Sequence, residues 1–538
     1  MQKQSKESLG IAKIFALIEA NGEVCAAVKR KKLGRTTLSI KDARSGYLRC
    51  SRFIDLIRIN RGAQDRLSMM FGHFPVLAIR HLTEADCFLL HELFEVKAFL
   101  WHYLQLRNQL IDLDLADLHP LPDLQGLFNT LDPEHNGLPT FQLSGLYSSR
   151  LSSLISKRQE ISHKLKETRY RDLEKAKSSL EMPTLKEEFV IARSKQNEIS
   201  RLQDSGSFLV SNQNLANYTF RLADSPLAMQ LKQDLHAIAE AITEEEAVVL
   251  EELSRQIKSN LKQLEQAYNS IEEISWDFCL AEFAQKYGCC IPRLSDAEDG
   301  IFCGLSLVGA VNLPLKIALQ DKQRCFQPLD ICLKQTGNLI TGPNMGGKST
   351  VLTTLGQMCY LATFGIPLPA REAELPIFEV IYYNHDSGEN SDTLSSFGRE
   401  VVSLVTALGK KGSKLFLLDE FAKGTNPAEG ESICLATLNY LYSKGIPFVA
   451  ATHFSAPAKL HNLAHFSIKG VDDAIFKTLE NMDDTSLETR LKLLSEAMDY
   501  ALMVVEGTML PPQCAVKIAS LLGLPAEITR QITEGIPQ

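Results

Sequence analysis

The chain of 538 residues lacks the features that mark several classes of protein. No apolar stretch is long enough to cross a bilayer, and no apolar segment of a signal peptide follows the first residues, so we expect a cytoplasmic protein. The 12 cysteines include no C-x-x-C pair, which indicates neither a zinc site nor a disulfide framework. The net charge of −8 excludes a protein that is basic overall, although a local basic face would not show in that sum.

What the chain does contain is a glycine-rich loop in the pattern G-x-x-x-x-G-K-[ST]. The preceding segment 337–341 is typical of a short strand and the following segment 351–361 of a helix, which is the context that the pattern requires. Glycines let backbone N–H groups surround phosphate oxygens, while Lys348 would reach the β- and γ-phosphates of ATP and the Ser349 hydroxyl would bind Mg²⁺. The loop residues predicted to bind the nucleotide are Gly342, Pro343, Asn344, Met345, Gly346, Gly347, Lys348, Ser349 and Thr350.

Two later strands end in polar residues that suit the same chemistry. The apolar run 414–418 ends in Asp419 and Glu420, as a strand buried in a parallel sheet does. Ligands bind at the carboxyl ends of such strands, so we expect Asp419 to hold Mg²⁺ and Glu420 to orient or deprotonate the attacking water. A further strand ends at His453, and a lone histidine at a strand end is usually structural. Because this strand follows the one that ends in the two acids, we favour a functional role, in which His453 donates a hydrogen bond to the γ-phosphate.

With these motifs the sequence resembles the MutS family of ATPases. Residues 341–350 read T-G-P-N-M-G-G-K-S-T, as in that family, and residues 419–425 and 452–454 are similar to its D-E-x-x-x-G-T and T-H-Y/F motifs. The resemblance implies an ABC-type ATPase domain with Phe326 near the adenine. It also implies a homodimer in which Ser395, from the S-x-F-x-x-E segment, reaches the nucleotide bound by the other subunit.

The sequence departs from the family pattern at several points. Arg371 stands where the family tends to have glutamine, and Leu329 replaces the asparagine of the family's F-x-P-N-D segment. Mismatch-recognising members insert a Phe-x-Glu wedge, and Phe94-Glu95 does not fit that pattern because the acid is adjacent. We therefore expect the mismatch-reading domain to be absent.

The first 300 residues or so show mainly helical patterns. Apolar residues recur at helical or heptad spacing over 240–287, which predicts one long lever helix, and a second helix is predicted over 146–180. The segment 208–220 has the extended, polar pattern of a strand pair or a loop at a hairpin tip. The predicted fold class is α/β, with a C-terminal ABC-type P-loop ATPase domain preceded by a mostly α-helical lever and coiled-coil region. We expect a helical N-terminal region at 1–130, a helical lever and clamp-like coiled coil at 131–297, and the MutS-type ATPase domain at 298–538.

Two basic segments are candidates for contact with nucleic acid. One is the run Lys29–Lys32, and the other is the helical segment 157–177. Acids alternate with the basic residues of the second segment, so a phosphate-binding face and an ordinary solvated face both fit it. The basic residues of this segment are Lys157, Arg158, Lys164, Lys166, Arg169, Arg171, Lys175 and Lys177.

The predicted function is that of a MutS-like ATPase, with ATP and Mg²⁺ as its ligands. ATP binding would close two ATPase domains on each other and hydrolysis would release them, moving the levers. DNA, gripped without mismatch reading, is the expected cargo. The alternative is a MutS-related reactivase of an adenosylcobalamin-dependent lysine aminomutase, which the stretch 419–430 also resembles. A scaffold that binds ATP without hydrolysing it is disfavoured because Lys348, Asp419, Glu420 and His453 are all present.

Overall fold

The computed structural model describes residues 3–34, 38–295, 302–343, 346–384, 396–471 and 498–505, together with Leu524, Pro525, Glu527, Ile528 and Gln531. The chain forms two compact units. The first, called the split unit here, combines Met1–His73 with Glu272–Gln538. The second, the inserted unit, is Phe74–Ile271. The predicted division into three domains at 130 and 297 stays a prediction.

The described residues contain both helices and strands along the chain. In chain order the helices are α1 (Lys3–Ser8), α2 (Ile11–Leu17), α3 (Gly22–Leu33), α4 (Ile40–Ile59), α5 (Arg61–Gly72), α6 (Ile79–Glu84), α7 (Leu90–Asp112), α8 (Gln125–Thr130), α9 (Ser149–Leu180), α10 (Gln196–Asp204), α11 (Pro226–Ser259), α12 (Leu261–Tyr287), α13 (Leu313–Gln320), α14 (Lys348–Ala362), α15 (Ser396–Leu408), α16 (Pro427–Ser443) and α17 (Ser455–Ala458). The strands are β1 (Glu188–Ala192), β2 (Phe208–Gln213), β3 (Asn217–Leu222), β4 (Arg293–Leu294), β5 (Leu305–Ala310), β6 (Leu329–Leu333), β7 (Gly337–Thr341), β8 (Glu372–Leu375), β9 (Val380–Tyr383), β10 (Lys414–Asp419), β11 (Phe448–Ala451), β12 (Ala464–Val471) and β13 (Met498–Val504).

The inserted unit contains two long helices, each begun by a serine cap. The Ser148 hydroxyl accepts a hydrogen bond from Leu151 N at the start of α9. Ser225 accepts one from Ala228 N at the start of α11, where Pro226 occupies the first turn. A three-stranded antiparallel sheet in the order β1-β3-β2 shares an apolar core with the C-terminal half of α9. The helix predicted over 146–180 and the strand pair predicted over 208–220 are confirmed.

The single helix predicted over 240–287 is wrong, because the structure contains two helices there. Helix α11 ends at Ser259 and α12 begins at Leu261. Asn260 lies between them with φ −102° and ψ 6°, and its side-chain amide donates to Gln256 O at 2.9 Å. An asparagine that bonds to the preceding helical turn offers the backbone an alternative to continued helix, and this is the physical reason for the break.

A six-stranded sheet forms the centre of the C-terminal part of the split unit. Its order is β13-β12-β7-β11-β10-β9, and all neighbouring strands are parallel except the edge pair β12 and β13. Every residue of β7 is buried, as expected for a central strand covered on both faces. One face carries a core that joins β10 and β11 to α16 through Phe416, Phe448 and Leu438.

A second sheet in the split unit has four strands in the order β4-β8-β5-β6. Gly309 in β5 has φ +65°, and a Cβ there would lie 2.6 Å from the Arg371 side chain. Arg371 itself approaches Asp330 of β6, with 3.7 Å between guanidinium and carboxylate. The residue that departs from the family pattern therefore covers a glycine of this sheet.

The chain has mixed α/β architecture, with a large, mainly helical N-terminal region and a C-terminal part that contains the six-stranded and four-stranded sheets. This agrees with the predicted class at that level. Among the helices that the structure describes, none combines the length and apolar character needed to span a bilayer.

Candidate functional site

The candidate site lies at the edge of the six-stranded sheet that is formed by the carboxyl ends of its parallel strands. The register pairs Ile340 of β7 with Ala451 of β11, and Ala451 with Asp419 of β10. The glycine-rich loop after β7, the acids at the end of β10 and the histidine that follows β11 are therefore at the same edge. Parallel strands present their carboxyl ends in this way, and ligands of such sheets bind there.

The glycine-rich loop joins β7 to α14 through backbone conformations and contacts that require glycine. Gly347 has φ +88°, and a Cβ there would lie 2.9 Å from the Tyr500 ring. At Gly346 a Cβ would lie 2.8 Å from Pro343 O. Asn344 and Met345 are outside the described residues.

Lys348 is the first residue of α14, and its ammonium group turns back onto the loop. Its Nζ donates to Gly342 O at 2.8 Å and to Pro343 O at 3.0 Å. The residue is only 6% exposed, and this burial lowers the pKa of Lys348, against the opposing effect of the negative charges of Glu420 and Asp419. The next residue, Ser349, is exposed at the start of the same helix. The buried cation and the free end of α14 give this loop the positive character that a phosphate requires.

One carboxylate oxygen of Asp419 accepts a hydrogen bond, and the other has no partner among the described residues. Tyr383 donates its hydroxyl to Asp419 Oδ2 at 3.1 Å, and burial, followed by the effects of this carboxylate, raises the pKa of Tyr383. Asp419 Oδ1 is buried and has no hydrogen-bond partner among the described residues. Because a buried carboxylate oxygen needs a partner, and Mg²⁺ prefers oxygen ligands, the donor set fits this ion. Asp419 and the exposed hydroxyl of Ser349 would hold it.

Glu420 follows Asp419 with its carboxylate between two basic side chains. Lys423 Nζ lies 2.5 Å from Glu420 Oε2, and His453 Nδ1 lies 3.8 Å from Oε1. Burial alone would raise the pKa of Glu420, but the hydrogen bond and charge of Lys423, with the charges of His453 and Lys348, outweigh it and lower the pKa. Glu420 is thus a carboxylate at neutral pH. It can accept a proton from water.

Two further side chains support the acids: Asn384, which belongs to none of the motifs, and Glu400, the glutamate of the S-x-F-x-x-E segment. The Asn384 amide accepts from Asp419 N at 2.5 Å and donates to Asp419 O at 3.1 Å, so it extends the pairing of β9 with β10 by one residue. Glu400 of α15 accepts from Asn384 Nδ2 and, at 3.1 Å, from Ala422 N. No sequence pattern points to Asn384, because only the strand order shows that β9 ends beside β10.

Phe326 is half-buried and precedes a residue that connects to the glycine-rich loop. Gln327 accepts from Tyr500 N at 2.9 Å, and the Tyr500 ring in turn covers Gly347. This arrangement places the segment that contains Phe326 on the same side as the loop. Ser395 lies outside the described residues, so its predicted contact with a second subunit stays a prediction.

In the inserted unit, the basic residues of α9 divide into two sets. The first set is paired with acids, through Lys164–Glu160, Arg169–Glu187, Arg169–Asp224 and Lys177–Glu174. Within the described part of the chain, no ion pair joins the other basic residues of the segment to an acid. These unpaired residues are Lys157, Arg158, Lys166, Arg171 and Lys175.

Comparisons with known proteins agree on the C-terminal part of the chain. Residues 338–528 match the family model for MutS domain V. The endonuclease MutS2 of Clostridium tetani (strain Massachusetts / E88) is 31% identical over 262 residues, which is 47% of this chain and 32% of that protein. The endonuclease MutS2 of Caldanaerobacter subterraneus subsp. tengcongensis is 31% identical over 232 residues, which is 42% of this chain and 27% of that protein. The chain thus spans about a third or less of the length of these relatives.

Proposed function

We propose that the chain is a MutS-family ATPase that hydrolyses ATP with Mg²⁺ at the edge of the six-stranded sheet, because residues 338–528 match MutS domain V. MutS domain V is the ATPase domain of that family, which supports the activity. The observation that carries the assignment of the site is the buried Asp419 Oδ1 without a hydrogen-bond partner among the described residues, at the sheet edge where β7 meets the glycine-rich loop.

Each residue would have a separate task in the reaction. Lys348 exchanges its two carbonyl partners, Gly342 O and Pro343 O, for oxygens of the β- and γ-phosphates. The loop N–H groups and the start of α14 hold the remaining phosphate oxygens. Mg²⁺, when held by Asp419 and Ser349, neutralises charge that develops on the phosphates.

Glu420 is the proposed general base, and His453 the proposed γ-phosphate contact. The lowered pKa of Glu420 keeps it ionised, so it can orient the attacking water and take its proton. His453 faces Glu420 across 3.8 Å and can donate a hydrogen bond to the γ-phosphate from that place. Phe326 would contact the adenine.

The proposal extends to assembly and cargo. As the family resemblance implies, two copies would share their nucleotide sites, with Ser395 of each reaching the nucleotide of the other. The cargo we propose is DNA, in keeping with relatives that are named endonucleases. The aminomutase reactivase has no support from the relatives reported above. We also propose that DNA is bound without a mismatch-reading domain and that the helical region moves as a lever.

Substitution of the base tests the ATPase assignment. Glu420→Gln should retain ATP binding and lower turnover by about 100-fold or more, because an amide cannot accept the proton. Glu374→Gln removes an exposed acid from the four-stranded sheet and serves as the matched control, with turnover unchanged. Turnover of Glu420→Gln at the wild-type rate would refute the role of Glu420.

The charges of α9 provide a matched test of DNA binding. Affinity for a duplex should fall steeply with salt, and replacing three unpaired cations by glutamine should flatten the dependence of log affinity on log salt by about 3, or about 1 per lost phosphate contact. Replacing three cations that already neutralise acids should have a smaller effect. The unpaired triple is Lys166, Arg171 and Lys175, and the paired triple is Lys164, Arg169 and Lys177.

Each outcome of this salt experiment has a distinct meaning. Equal effects of the two triples would contradict contact through the unpaired cations of α9. A preference for mismatched over matched duplex would contradict the absence of a mismatch-reading domain. If the wild-type protein bound no duplex at low salt, with or without ATP, the DNA cargo would be refuted and the reactivase alternative favoured.

A further inference from the structure

The turn after β10 contains two non-glycine residues in left-handed conformations. Glu420 has φ +48° and Ala422 has φ +65°. Such conformations are unfavourable for residues with a Cβ, and they persist only where the surrounding structure holds them. Because Glu420 is the proposed base, whatever holds this turn also sets the direction of its carboxylate.

Four hydrogen bonds to groups outside the turn fix its backbone. Glu420 N donates to Ala451 O at 2.8 Å, which continues the pairing with β11. Asn384 bonds both the N–H and the C=O of Asp419, and the Glu400 carboxylate accepts from Ala422 N at 3.1 Å. Two of the three groups that hold the turn are therefore side chains.

These two side chains also bond to each other. Asn384 Nδ2 donates to Glu400 Oε1, so the Glu400 carboxylate receives an N–H on each oxygen. The Asn384 amide uses its oxygen as an acceptor for Asp419 N and its nitrogen as a donor. Only a residue with both a donor and an acceptor can serve at 384, and only one with two acceptors at 400.

We propose that Glu400 and Asn384 are positioning residues for ATP hydrolysis, which orient Glu420 by holding the turn on both sides of it. The inference rests on the proposed function, because it concerns the chemical step at the same site. The bonds end on Asp419 and Ala422, whereas the phosphate-binding residues belong to the loop after β7. Loss of the pair should therefore affect turnover and leave ATP affinity nearly unchanged.

The test compares substitutions that remove or mismatch these bonds. Glu400→Ala and Asn384→Asp should each lower kcat by about 10- to 100-fold, with the dissociation constant for ATP changed by less than about twofold. In Asn384→Asp a carboxylate faces the Asp419 carbonyl and the Glu400 carboxylate. The size of the side chain and its acceptor for Asp419 N are kept, whereas both bonds donated by Nδ2 are lost. Val405→Ala, at an exposed position of the same helix α15, is the control and should leave kcat unchanged.

A double substitution separates positioning from a general structural role. If Glu400 acts through Glu420, Glu400→Ala should lower turnover in the wild-type background but cause no further loss in Glu420→Gln. A further loss there of the same size would overturn the proposal, as would unchanged kcat in both single variants or an equal weakening of ATP binding. Thermal unfolding monitors the fold, and Asn384→Asp provides the measurement if Glu400→Ala does not fold. Failure of the proposed function itself would be seen separately, as a wild-type protein that neither binds nor hydrolyses ATP.

Discussion

Replacing Gly356 by alanine should destabilise the split unit, although the same change usually stabilises a helix. Gly356 lies inside α14, the helix that begins with Lys348. A Cβ there would lie 2.7 Å from Leu9 Cδ2 and 2.8 Å from Leu417 Cδ1. Both leucines are buried, at 1% and 0% exposure, so neither methyl group can move into solvent.

Two opposing effects determine the size of the change. Alanine in place of a helical glycine contributes about 0.5–1 kcal/mol of stability. An added methyl group in a filled core costs typically about 1–3 kcal/mol. The contact distances are far shorter than an ordinary methyl contact, so the cost of a methyl group at Gly356 should lie in the upper part of that range. We expect a net loss of about 1–2 kcal/mol from these two estimates.

Gly46 provides the matched control, because it lies inside α4 of the same unit and has only the end of the Arg49 side chain near its missing Cβ, at 3.9 Å. Gly46→Ala should therefore stabilise, by about 0.5–1 kcal/mol. Calorimetric thermal unfolding of both variants tests the reasoning, with opposite shifts of the midpoint expected. A Gly356→Ala protein that unfolds at the wild-type temperature or above would show that the core around α14 yields to an added methyl group.

Two further substitutions test charged groups, one in each unit. Lys423→Gln removes the largest influence that lowers the pKa of Glu420, so the acidic limb of the kcat/KM profile should move to higher pH; an unmoved limb would mean that the pair does not control the base. Lys97→Met leaves Asp132 buried without its partner at 3.0 Å and should cost about 3–5 kcal/mol. Burial would raise the pKa of Asp132, but the Gly137 N–H and Lys97 outweigh it and lower the pKa in the folded protein. The loss of stability in Lys97→Met should therefore be largest at neutral pH and shrink as acid protonates the carboxyl. A loss that does not vary with pH in urea unfolding would contradict this.

The sequence alone predicted those parts of the site that sit at the ends of strands. Apolar runs that end in Asp419 or His453 identify buried strands and the residues just after them, and the glycine-rich loop has a pattern specific enough to place Lys348. The same reasoning missed Asn384, because nothing local to β9 shows that it pairs with β10. The role of Glu400 likewise depends on which strand α15 faces.

Two other features of the fold could not be predicted from the sequence. One is the break between α11 and α12, and the other is the packing of distant segments in the split unit. The apolar spacing continues across Asn260, so periodicity predicts one helix where a side chain ends it. No pattern in residues 1–73 indicates that they fold with residues after 271. Such contacts depend on the whole chain rather than on any window of it.

The split unit has a consequence for the order in which the protein becomes complete during synthesis. Gln357 Nε2 donates to Leu9 O at 2.8 Å, between residues 348 positions apart. A ribosome adds about 5–20 residues per second, so the N-terminal segment is exposed for roughly 20–70 s before its partner in α14 exists. The inserted unit is continuous in sequence and can fold during that interval. The apolar side chains of α1 and α2 lack their partners until the second half of their own unit has been made, and transiently exposed apolar surface of this kind promotes aggregation.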